Sequence, residues 1–180
     1  MVVVTELPEE SSSSSSPPGY RYDVFVSFRG ADTRVSFVAY LYHALIDANI
    51  SAFLDDEELP AGEDLRPELE FAIKTSRASI IVLSENFAHS TWCLSELVLI
   101  LEQRRTSNHI IFPIFYHVKP SDVRWQKSSF GAAMLHHYKR MKREKDTDKR
   151  SRLAQRIDRW KQALKEVADL AGWEIPEWHK

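Results

Sequence analysis

Apolar residues in this chain gather in four short runs, and between the runs they recur every third or fourth position. The runs are 22–28 (Tyr22-Asp23-Val24-Phe25-Val26-Ser27-Phe28), 50–54, 78–83 and 110–116. Runs this rich in aromatic and β-branched residues predict parallel strands covered on both faces. Pro113 has no N–H to give to a ladder, which predicts an edge position or a bulge for the fourth run. The stretches 35–49, 67–76, 91–105, 128–142 and 151–171 carry helical spacing. In the first of them Phe37, Val38, Leu41, Ala44, Leu45 and Ala48 share a face. Pro67 suits a first helical turn, and Gly172 reads as a helix stop. Strand and helix alternate, which predicts an α/β doubly wound sheet. A fifth strand is either near 123–125 or absent.

Composition sets the boundaries. The chain has 180 residues, enough for one globular domain with tails. Residues 1–19, with serines 11–16 followed by Pro17-Pro18-Gly19, read as a disordered leader. The folded domain is expected over 20–175, with 176–180 as a tail. A net charge of −2 gives no global field toward nucleic acid or an anionic membrane. The single cysteine, Cys93, excludes an intramolecular disulfide and suits a reducing compartment. No apolar run approaches membrane-spanning length, and the N-terminus lacks the pattern of a signal peptide. A cytoplasmic location is therefore expected, with the nucleus as a second compartment, and no membrane partner. The mixed charges of 139–152 read as a solvated linker. The histidines are scattered, and the adjacent His136-His137 pair points different ways on a helix, so no metal site is expected.

One carboxylate stands out. In Ser90-Thr91-Trp92-Cys93-Leu94-Ser95-Glu96-Leu97, helical spacing puts Trp92 and Ile100 four residues from Glu96, and Cys93 and Leu99 three. An acid ringed by apolar neighbours is desolvated or partnered, and either costs free energy. The residues leave two readings open. Glu96 is a rim residue with its stem on Trp92 and its head in water, or a buried acid with a chemical task.

Topology indicates where a task would be carried out. With strand order 2-1-3-4-5, the ligand crevice lies beyond the carboxyl ends of the first and third strands. The loop 29–34 (Arg29-Gly30-Ala31-Asp32-Thr33-Arg34) follows the first strand, and 84–90 follows the third. Arg29, Arg34, Trp92 and Glu96 are expected to converge there. An arginine beside a glycine at a helix start suits a phosphate, or Arg29 pairs with Asp32 or Asp55. Trp92 stacks on a flat ring or packs in the core. One acid suits an oxocarbenium-like transition state. A nicotinamide leaving group needs no protonation, because its ring nitrogen is already cationic, so one carboxylate suffices. The acidic stretch 55–64 reads as a lid or a solvated connector. A phosphoacceptor receiver is excluded, since the first and third strands end in Phe28-Arg29 and Leu83-Ser84 rather than in acids.

These residues also carry a resemblance. The run from Tyr22 to Arg34, the segment Leu54-Asp55-Asp56-Glu57-Glu58-Leu59 with Gly62, the run from Ile81 through Leu97, and Phe112 to Arg124 resemble four boxes of plant TIR (Toll/interleukin-1 receptor) domains, in order and at the expected spacing. The resemblance implies a flavodoxin-like fold with five parallel strands and a place in an intracellular nucleotide-binding, leucine-rich-repeat immune receptor. It implies NAD+ or NADP+ as substrate rather than a prosthetic group, with Glu96 as catalytic acid. Phe28, Arg29, Gly30, Asp55, Ser84, Trp92 and Cys93 would line the substrate pocket. Leu59, Pro60 and Gly62 would belong to the BB loop, which helps complete a neighbour's site. Ala39, Tyr40 and Gly131 would lie at self-association surfaces of a homo-oligomer. Many plant members carry Ser-His where this chain has Ala39-Tyr40. The implied products are nucleotide signals read by lipase-like defence proteins. Some members also act on nucleic acid, which this chain's charge does not favour. The alternative is a non-catalytic TIR–TIR scaffold.

Overall fold

The computed structural model describes residues 19–55 and 67–177. The expected leader up to residue 18, residues 56–66 with the BB-loop candidates Leu59, Pro60 and Gly62, and residues 178–180 lie outside the described residues.

Strand β1 (Tyr22–Ser27) is followed by a helical turn, α1 (Gly30–Thr33), a π turn over Arg34–Val38 and helix α2 (Ala39–Asp47). Then come β2 (Ala52–Leu54), α3 (Pro67–Lys74), β3 (Ser76–Leu83), a 3-10 turn at Phe87–His89 and α4 (Thr91–Ser107). The chain closes with β4 (Ile110–Tyr116), α5 (Pro120–Arg124), α6 (Ser128–Arg143), α7 (Thr147–Asp169) and β5 (Trp173–Ile175). All strand pairs are parallel, in the order β2-β1-β3-β4-β5. The α/β doubly wound reading and the strand order both hold.

Side-chain alternation along β1 sets the two layers. Phe25 joins a large core with Ile81, Leu83, Phe115 and the buried faces of α3, α4, α6 and α7. Val24, Val26 and Phe28 turn to the opposite face and pack with Val38, Ile80, Val82 and Ile114, against Phe37, Leu41 and Leu45. The second layer has less helix over it. Aromatic pairs extend its cover, Phe37 on Tyr116 at 5.1 Å between ring centres and Phe112 on Trp173 at 5.8 Å.

Several sequence expectations need correction. The fifth strand is Trp173–Ile175, not 123–125, where Pro120 at the first helical position starts α5 instead. Gly172 does not stop α7, which ends at Asp169 with Leu170 extended. A Cβ on Gly172 would meet the Pro113 carbonyl oxygen at 2.5 Å, so the glycine lets β5 approach β4. Pro113 lies inside the sheet, yet β5 pairs only with Ile114–Tyr116, which leaves the start of β4 effectively at an edge. The segment after β1 is helical from Gly30 rather than a loop to Arg34. The charged stretch 139–152 is mostly helix, because Asp146 caps α7 by accepting from the amides of Asp148 and Lys149 at 2.9 and 3.0 Å.

Candidate functional site

Glu96 is buried, 2% exposed, on the second turn of α4. That helix starts where it does because the Ser90 hydroxyl caps it, accepting from the Cys93 amide at 3.2 Å. Its first turns are apolar on more than one side, since the helix packs against the sheet and against α7 and α3. Of the two readings left open for Glu96, the rim position is therefore wrong.

Three groups surround the carboxyl. The Ser27 hydroxyl, at the carboxyl end of β1, donates to Glu96 Oε2 at 2.5 Å. Asp55, just beyond β2, accepts from the Trp92 indole N–H at 2.8 Å. That indole also favours the charged form of Glu96, so one N–H faces two carboxylates. Burial pushes the Glu96 carboxyl well above the usual glutamate range, and the Asp55 charge pushes the same way. The hydrogen bonds from Ser27 and Trp92 oppose them.

Trp92 is buried within the large core, so its ring packs rather than presenting an open stacking face. Cys93 is buried too, with its thiol 3.6 Å from the Phe28 carbonyl oxygen, to which it donates. Thus Phe28, Asp55, Trp92, Cys93 and Glu96 form one connected group.

Arg29, Gly30 and Ser84 belong to a second group. Asp32 is its hub, accepting from the Ser84 hydroxyl at 2.7 Å, the Asn86 amide at 2.9 Å and the Asn86 side chain at 3.3 Å. Arg29 donates to the Asn86 carbonyl oxygen at 3.1 Å and lies 3.7 Å from Asp32. Of the two acids considered as partners for Arg29, Asp32 is the one beside it. Gly30 leaves room for the Arg34 guanidinium, 2.4 Å from where a Cβ would stand. This clamp holds the segment after β1 to the segment after β3.

A crevice lies beyond this clamp, past the carboxyl ends of β3 and β4. It measures about 440 Å³, and Asp32, Ser84, Asn86, Tyr116, His117 and Lys119 are among its lining residues. Glu96 and Trp92 are not. Arg29 and Arg34 are not either, so the expected convergence of Arg29, Arg34, Trp92 and Glu96 is not seen at this crevice. The acid lies between α4 and the sheet, with Ser27 of β1 as its partner.

The self-association candidates occupy separate surfaces. Tyr40 is 77% exposed on α2, beside the half-buried Ala39, and Val35 on the π turn is 93% exposed. Gly131 lies in the first turn of α6, where a Cβ would meet the Gln126 carbonyl oxygen at 2.6 Å. Its lack of a side chain has a local packing reason.

Sequence reading missed Ser27. The available signal was its parity with Phe25 along β1, which turns a hydroxyl into the core that also holds Glu96.

Comparison with known proteins agrees with this architecture. The family model described as "TIR domain" matches residues 21–180. Disease resistance protein RPV1 of Vitis rotundifolia is 49% identical over 168 residues, covering 92% of this chain and 11% of RPV1. TMV resistance protein N of Nicotiana glutinosa is 44% identical over 161 residues, covering 89% of this chain and 13% of that protein. The chain thus spans only a small part of these relatives. Among solved structures, the TIR domains of the activated Roq1 resistosome directly recognizing the pathogen effector XopQ match with a TM-score of 0.72 and 42% identity, over 85% of this chain and 87% of that one.

Proposed function

For a chain that belongs to the TIR domain family, we propose a self-associating enzyme of plant immune signalling that hydrolyses the nicotinamide glycosidic bond of NAD+ or NADP+, with Glu96 as its acid. The observation that carries this reading is a fully buried carboxyl held by Ser27 at the end of β1, with Asp55 and Trp92 beside it. A carboxyl kept in such a place costs stability, and groups of this kind gather at functional sites.

The chemistry runs as follows. The bond from the ribose anomeric carbon to the nicotinamide nitrogen breaks, and its electron pair neutralises the ring. The Glu96 carboxylate stabilises the oxocarbenium-like sugar. Water adds to the anomeric carbon and releases its proton to solvent, giving nicotinamide and the ribosyl nucleotide. A cationic nicotinamide beside Glu96 favours the charged carboxylate, which opposes the burial that raises its titration point. Substrate entry requires the cover over Glu96 to move, since the resting acid is closed to solvent.

The resistosome relative supports assembly as the trigger, and the exposed Val35 and Tyr40 offer an apolar surface for it. The closed resting site favours a second reading, in which the same surfaces only recruit partners. NAD+ consumption by wild type and Glu96→Gln over a protein-concentration series separates the two. We expect turnover in the wild type alone, rising with concentration. A wild type that stays inactive when assembled within its full-length receptor would leave the scaffold.

A further inference from the structure

We propose that Ser27 is a positioning residue for Glu96: its hydroxyl engages Oε2 and fixes the orientation in which the carboxyl meets a substrate. This inference rests on the hydrolase reading above, but its geometry stands apart from it.

Three observations carry it. Ser27 is buried, and a buried hydroxyl needs a partner for its proton. The partner is Glu96 Oε2 at 2.5 Å, a side chain 69 positions along the chain. The donor is also rigid. Ser27 ends β1 and pairs in register with Ile81 of β3, while its neighbour Val26 pairs with Leu54 of β2. A donor fixed on a central strand costs no reorganisation when charge develops beside it.

The direction of its effect follows from the surrounding groups. Asp55, beyond β2, is the charged group acting on Glu96, and it disfavours a second negative charge. From α4 the Trp92 indole opposes this, and from β1 the Ser27 hydroxyl does the same. Hydrogen bonds to ionised acceptors are stronger than those to neutral ones, so Ser27 favours the carboxylate.

The test uses Ser27→Ala and Ser27→Thr in this chain, each checked for native far-UV circular dichroism. The Glu96 side-chain carboxyl is followed by carbon NMR across a pH titration, with Glu96→Gln identifying its signal. NAD+ turnover is measured in parallel under assembling conditions. With Ser27→Ala we expect the Glu96 titration and the acidic limb of kcat to move together to higher pH. We also expect kcat to fall about tenfold to a hundredfold, in line with a displaced catalytic group, with little change in KM. Ser27→Thr should restore both. An unchanged Glu96 titration in a folded Ser27→Ala protein would overturn the proposal, whatever happened to turnover. If the wild type fails to consume NAD+ while Ser27→Ala still shifts the titration, the positioning role stands and only the assigned reaction falls.

Discussion

At the scale of single residues, Glu96 trades stability for function. Its folded carboxyl titrates above the unfolded value, so between the two values the folded chain binds more protons than the unfolded one does. Its contribution to stability is present below the unfolded value, near pH 4.3, and is lost as pH rises toward the folded value. Glu96→Gln keeps an acceptor for Ser27 and removes the charge. It should melt at a higher temperature than wild type at pH 7, and the advantage should vanish near pH 4. Trp92→Phe keeps most of the ring but removes the donor to Asp55. A loss of about 1–3 kcal/mol in urea unfolding is expected. Helical spacing alone made the apolar ring around Glu96 legible. Ser27 and the Asp55–Trp92 contact were not, because partners 69 and 37 positions apart meet only when the sheet order is known.

At the scale of elements, the hydrophobic pattern located α2, α3, α4, α6 and α7 and four of the strands, including the three-residue β2, which lies inside the apolar run 50–54. It failed on Trp173–Ile175, three residues that become a strand only by pairing with the end of β4. It also failed on the π turn, whose extra residue per turn leaves no mark in composition. Gly172 shows how one residue type serves two causes, since a glycine after a helix suggests a stop but here clears the Pro113 carbonyl. Gly172→Ala should therefore cost about 1–3 kcal/mol by overpacking. Amide exchange at β5 should accelerate while that of β1 and β3 stays slow.

For the whole molecule, acid sensitivity and assembly matter most. His109 accepts or donates at 2.7 Å to Ser79, and His137 lies 2.8 Å from the Ala88 carbonyl oxygen. Burial lowers the titration point of both. The unfolded chain then binds more protons than the folded one as pH falls through about 6.5, so stability drops on acidification. Thermal melting between pH 7 and pH 5.5 should show this slope, and His137→Gln should flatten it by up to one proton. Glu96 acts in the opposite sense, so differences between variants carry the test. Tyr40→Ala should shift sedimentation toward the monomer and weaken the concentration dependence of turnover, with the melting point unchanged. The strand order was legible only through the resemblance of the boxes, since alternation of strand and helix gives the class of sheet but not which strands are neighbours.

The lone thiol has one more consequence. Cys93 follows Trp92 directly, sits three positions before Glu96 and is sealed against the Phe28 carbonyl. An alkylating reagent can reach it only when the packing around the first turns of α4, where Glu96 is also buried, opens. Its modification rate is thus a clock already built into the chain. Ticking slowly in dilute protein and faster in the assembled state, it would time the opening of the site without any substrate being consumed.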